Sequence, residues 1–263
     1  MASLGEGNAV ELVDLTLSRS PTFPPTFREV NPMNVSMVLT GLLMMIPNMS
    51  FANSLYDEII QPETSIQDSE GNTYRTVKIG DQTWLADNLR TTHFQDGSPI
   101  RTAFIPEDDP DNLLSYGRLY DWHGVSDARN LCPEGWRVAS DEDWKALERA
   151  IGIAEKDIDS TGWRGHDDIA ITLKVAQADS LLTSFDQTRI NHTGFSARPA
   201  GVKWKGWYIT QGAYAEFWTC SEATPTKAFA RTLAYSWWNP HKGEIRRATL
   251  GKNGMFSVRC VKD

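Results

Sequence analysis

Short stretches of alternating polar and apolar residues, cut by turn clusters, occupy both ends of this chain, and the clearest helix signal sits between them. A period of two puts successive side chains on opposite faces of a strand, whereas a helix needs a period of 3.6. Residues 73–79 alternate, with a turn cluster at Asp68–Asn72 before them. Gly80 and Asp81 form a second turn before Gln82–Leu85 returns, which predicts an N-terminal hairpin. Late in the chain, 200–204 and 207–210 flank Lys205 and Gly206, and a two-residue turn would set Trp204 opposite Trp207. A lysine is poorly suited to the positive φ of such a turn. Further strands are expected at 216–220, 228–233 and 256–261.

In the middle, Ser140 suits a helix N-cap and Asp143 the reciprocal acid of a capping box. Asp141, Glu142 and Asp143 favour the positive end of the helix dipole. Trp144, Leu147 and Ile151 line one face, and Gly152 stops the helix, so Trp144 is expected in the core. A weaker helix is expected over 167–182, and 92–115 reads as loop. The fold class is α+β, without internal repeats or low-complexity segments.

The N-terminal region reads differently. No charged residue occurs between Glu29 and Asp57, and residues 35–46 are largely apolar, with Pro47 after them. A bilayer span takes about 20 apolar residues, whereas roughly 10–14 suits the core of an export signal. Ser50 and Ala52 are small residues placed as a signal peptidase requires, so cleavage after Ala52 and a mature start at Asn53 are expected. Met33 would begin that signal. Its positive flank is weak, since Glu29 offsets Arg28. Residues 1–52 thus read as an upstream extension and signal peptide, 53–64 as a polar lead-in, and 65–263 as the domain. No cysteine follows the apolar run, against a lipid anchor. The expected location is secreted or cell-surface, with no integral membrane span in the mature chain.

Lys and Arg number 26 against 34 Asp and Glu, a net charge of −8 that argues against nucleic acid as partner. Three cysteines are too few for a disulfide scaffold and lack zinc-site spacing. The acidic run 107–112 could suggest a calcium loop, but it lacks the EF-hand spacing and reads as a solvated loop. The five histidines show no HxH or HxxxH pattern. His166, Asp167 and Asp168 could hold a metal or serve as a base, but the acids read more simply as a helix start. No nucleophile elbow, phosphate loop or dinucleotide fingerprint occurs.

Six motifs in order carry a resemblance. They are 71–89, beginning Gly-Asn-Thr-Tyr; Tyr116-Gly-Arg-Leu-Tyr-Asp-Trp122; Leu131-Cys-Pro-Glu-Gly-Trp-Arg-Val-Ala-Ser140; Thr193-Gly-Phe-Ser-Ala197; Phe217-Trp-Thr-Cys-Ser-Glu222; and Phe256-Ser-Val-Arg-Cys-Val-Lys262. Together they resemble the Fibrobacter succinogenes major paralogous domain family over residues 65–263. The resemblance implies a C-type lectin-like fold with short antiparallel strands, one clear helix and long irregular loops, in the branch that includes the formylglycine-generating enzyme. It also implies a Cys132–Cys260 disulfide, chosen from three possible pairings. Cys220, where the family usually has Ser or Thr, shares a strand face with Trp218 and should point into the core.

The related enzymes bind copper through a cysteine pair or iron through several histidines, and neither set is evident here. Calcium-dependent lectins of this fold use Glu-Pro-Asn or Gln-Pro-Asp and then Trp-Asn-Asp. Trp238-Asn239-Pro240 lacks the final Asp, and Gln61-Pro62-Glu63 lies elsewhere. The expectation is therefore a non-catalytic module that binds a glycan or surface protein without a cofactor, with calcium as the alternative to no ion. A metal-dependent oxidoreductase of the formylglycine-generating type and a structural surface subunit are the alternatives. The expected ligand face comprises Trp204, Trp207, Tyr208, Trp237, Trp238, Asn239, His241 and Arg246, because aromatic faces and polar tips grip both sugars and proteins.

Overall fold

The computed structural model describes residues 64–166, 168–176, 185–235 and 239–263. The expected export signal and cleavage site, the lead-in as far as Glu63, and Trp237 and Trp238 lie outside the described residues. Residues Pro62–Asp263 form one compact unit.

The first sheet joins the two ends of that unit. It contains β1 (Ser65–Gln67), β2 (Thr73–Ile79), β3 (Gln82–Leu85), β6 (Trp136–Val138) and β14 (Cys260–Lys262), in the order β1-β2-β3-β14-β6. The expected hairpin is β2–β3, with Ile79 opposite Gln82. Gly80 turns it at φ +59°, and a Cβ there would lie 2.9 Å from the Ala150 Cβ. Glycine thus serves both the turn and the close approach. In β14, Val261 sits opposite Trp84 and Cys260 opposite Val138. Cys132 and Cys260 are joined in the expected disulfide, with Cα atoms 6.0 Å apart. Cys220 is a half-buried free thiol whose Sγ is 3.5 Å from the Val138 carbonyl.

The second sheet has the order β10 (Tyr214–Thr224), β11 (Lys227–Ala234), β12 (Ile245–Gly251) and β7 (Gly162–Arg164), all antiparallel. Phe217, Arg231, Arg247 and Gly162 are in register across it. The neighbouring row, Glu216–Thr232–Arg246–Trp163, faces the other way because strand side chains alternate. The third sheet has the order β4 (Ala103–Phe104), β5 (Leu119–Asp121), β13 (Met255–Phe256), β8 (Val202–Trp204) and β9 (Trp207–Ile209).

Three short α-helices are described: α1 (Asn112–Tyr116), α2 (Trp122–Val125) and α3 (Asp141–Ala150). α3 is the helix expected from the sequence. The Ser140 hydroxyl accepts from the Asp143 N–H at 3.1 Å, and the Asp143 carboxylate accepts from the Ser140 N–H at 2.8 Å. Trp144 and Leu147 are fully buried in a core with Trp84, Phe195 and Phe217. Two further acids on α3 meet the Phe217–Arg231 face of the second sheet. Arg231 donates to Asp141 at 2.8 Å and Glu148 at 2.6 Å, Arg247 to Asp141 at 2.6 Å, and Arg164 to Glu148 at 2.7 Å. The other core stacks Trp218 on Phe256, ring centroids 4.2 Å apart, and includes Tyr120, Trp122 and the disulfide.

Three expectations change. The expected loop 92–115 contains β4 and most of α1. Within 167–182, the described part holds only a 3₁₀ turn, Ile169–Leu173, after which Lys174 is extended and bridges to Ala197. Ile169, Ala170, Ile171 and Leu173 are all buried, so the turn is enclosed rather than laid down along one helical stripe. The expected strand 256–261 is split between β13 and β14. Arg259 marks the crossing. Its buried guanidinium donates to the Leu85, Phe195 and Ser196 carbonyls and to Asn88 Oδ1, at 2.6–3.0 Å.

Candidate functional site

The β8–β9 hairpin lies over one end of the second sheet, and a cavity of about 510 Å³ opens where they meet. Lys205 and Gly206 turn the hairpin at φ +50° and +87°, and Trp204 pairs with Trp207 as the sequence expects. Val202 pairs with Ile209, so these four side chains share one face of the hairpin. Val202, Trp204 and Ile209 line the cavity, while Trp207 stands beyond them at 75% exposure. Trp204 can lie flat because Gly251 and Gly254 face it. A Cβ on either would approach the indole to 3.1 or 3.0 Å.

The opposite wall is the row Glu216–Thr232–Arg246–Trp163, with Leu250 and Gly251 farther along β12. The Thr232 hydroxyl donates to Glu216 Oε1 at 3.2 Å. Burial pushes the Glu216 carboxyl up to about 7, against the opposing pull of the Thr232 hydrogen bond and the Arg246 charge. Among the described residues, the Arg246 guanidinium has no ion pair or hydrogen bond. At the rim, Thr210 holds a φ of +64°, costly for a β-branched side chain, and its buried Oγ1 has no partner.

The expected ligand residues do not all meet at this cavity. Trp204, Asn239 and Arg246 line it. Asn239 donates to the Tyr214 hydroxyl at 2.9 Å and accepts from the His241 N–H at 2.8 Å. His241 stacks on Trp163 at 5.0 Å and pairs with Glu244 at 2.8 Å, so it supports the wall. Tyr208 projects from the other face of β9. Its hydroxyl accepts from Lys203 Nζ at 2.9 Å and donates to Asp108. Asp108 of the acidic run is thereby held by the hairpin. Among the described residues, no group of three or more His, Cys, Asp and Glu side chains gathers to hold a metal ion.

Glu216, Thr232 and Trp163 escaped the sequence reading. Glu216 left a signal, being an acid two residues before Trp218 in a strand of apolar neighbours, and therefore on the face of a core indole. Trp163 left none, because β7 is short and the motifs do not include it.

A second hollow, about 530 Å³, lies beside the disulfide and is lined by Asp68, Thr91, His93, Cys132 and Glu134 among others. Its edge is already paired. His93 Nδ1 lies 2.8 Å from Glu70, whose carboxyl is held at about 2 despite burial by hydrogen bonds from His93, Thr92 and Thr91.

Fold and cavity together define an α+β domain with an aromatic-walled hollow between two β layers. The chain belongs to the Fibrobacter succinogenes major domain family, whose model matches residues 77–262. No curated protein and no solved structure matches the chain significantly. Among the described residues, no helix is long and apolar enough to cross a membrane.

Proposed function

We propose that this domain is a non-catalytic binding module, secreted or displayed at the cell surface, which captures a glycan or surface protein between the β8–β9 hairpin and the second sheet. The observation that carries the reading is the cavity itself. At about 510 Å³ it is of ligand size, with indole walls, a guanidinium unspent among the described residues and an unpartnered threonine hydroxyl. The exposed indole of Trp207, on the same hairpin face as Trp204, adds rigid contact area, which binding surfaces exploit at low entropic cost. The lectin-like assignment belongs to the same proposal. Its support is the pairing of strands from both ends of the domain, the disulfide tying Cys132 to the last strand, and a late hairpin at the ligand face.

The test is a glycan-array and surface-protein screen of the full chain beside its Trp207→Ala variant. The reading expects capture of at least one ligand and capture weakened about fivefold or more by the substitution. A screen without any ligand, or capture indifferent to Trp207, overturns it.

A further inference from the structure

The two faces of the second sheet use arginine in opposite ways. On the α3 side, Arg231, Arg247 and Arg164 are committed to Asp141 and Glu148. On the cavity side, Arg246 carries the same fixed charge into a hollow and gives none of its N–H donors to a partner among the described residues. A guanidinium matches a carboxylate in shape and charge, and an apolar surround strengthens the pair.

The rest of the row limits what can bring that carboxylate. Glu216 lies two strands from Arg246, with Thr232 between them, so their backbones are roughly 10 Å apart. A planar anion can lie in that gap over the Thr232 hydroxyl. Trp163 follows Arg246 in the row, and Trp204 lines the same cavity from the hairpin. A sugar ring has a flat apolar face for an indole and hydroxyls for surrounding polar groups. Asn239 and Tyr214 supply those groups here. The geometry points to an acidic sugar, a uronate whose carboxylate meets Arg246 and whose ring lies against the indole walls. This inference rests on the cavity being the ligand site.

The direction of the pH effect follows from the groups around Glu216. Arg246 on β12 is the charged group that acts on it. β11 contributes the Thr232 hydroxyl, and the hairpin contributes Trp204, Ile209 and Thr210. β7 contributes Trp163, with His241 stacked on that ring and paired to Glu244. With its carboxyl at about 7, Glu216 is mostly neutral at pH 6. At pH 8 it is mostly an anion that repels a bound carboxylate and competes for Arg246. Affinity for a uronate should therefore fall about tenfold between those values.

The experiment is calorimetric titration of the full chain at pH 6 and pH 8 with galacturonate, glucuronate and mannuronate trimers, their methyl esters, and peptides ending in a free carboxylate. At least one uronate trimer should bind at pH 6, about tenfold more weakly at pH 8, and its ester at least tenfold more weakly at pH 6. Arg246→Gln should remove the preference for acid over ester, while Glu216→Gln should flatten the pH dependence. Failure of every trimer to bind, ester binding equal to acid, or acid binding indifferent to Arg246→Gln would overturn the inference. Preferential binding of the peptides would also overturn it, while leaving the cavity as a ligand site.

Discussion

Glu216 illustrates how one position can serve binding at the expense of stability. Its carboxyl is raised from 4.5 to about 7, so between those values the folded state holds a proton that the unfolded state has released. Stability contributed at this site therefore falls as pH rises through that window, and the cost is complete above about 7. Glu216→Gln removes the titration. The variant should melt with the parent at pH 4 and exceed it by on the order of 2 kcal/mol at pH 8. Equal stability at pH 8, measured by urea unfolding, would mean that Glu216 is well solvated. Trp207 offers the complementary case. Its side chain is 75% exposed, so Trp207→Ala should change unfolding free energy by no more than about 0.5 kcal/mol while weakening capture. A large loss of stability would show that the indole packs against the protein.

Elements were legible in the sequence where local chemistry dictated them. Gly80 and Gly206 marked two-residue turns, and the register of β8 with β9 followed from the second, even with Lys205 held at φ +50°. The capping box at Ser140 fixed the start of α3. β12 passed unnoticed because its sequence, Ile-Arg-Arg-Ala-Thr-Leu-Gly, places two charges in adjacent positions. Only the assembled fold shows that Arg247 turns inward to Asp141 while Arg246 turns to the cavity. The first-turn acids suit the helix dipole, yet Asp141 also binds two arginines across the sheet. Most of the cavity wall was hidden for the same reason, since Glu216, Thr232 and Trp163 join Arg246 only through strand register. This docking of α3 is open to test. Glu148→Leu leaves Arg231 and Arg164 buried without their shared carboxylate and should destabilise the domain by about 3–5 kcal/mol. Glu142→Ala removes an exposed partner of Lys145 and should cost no more than about 0.5 kcal/mol. Similar losses from both, in denaturant unfolding, would contradict a buried charge network at this interface.

At the scale of the molecule, the disulfide and the cavity have separate roles. Cys132 and Cys260 are 128 residues apart in sequence, and linking them restricts the unfolded chain. The paired variant Cys132→Ser, Cys260→Ser should lose about 4–5 kcal/mol in guanidinium unfolding, and an unchanged midpoint and slope would show that the bond adds no stability. Among the described residues, one hollow lies between the β layers and another of similar size beside this bond. The central claim is that the first receives the ligand. The most direct measurement is side-chain NMR of the nitrogen-15-labelled full chain during titration with a glycan or surface protein found by screening. The account expects the indole signals of Trp163 and Trp204 and the guanidinium signal of Arg246 to move together and saturate, while the His93 ring signals stay in place. Saturating shifts at His93, with Trp163, Trp204 and Arg246 unmoved, would contradict it.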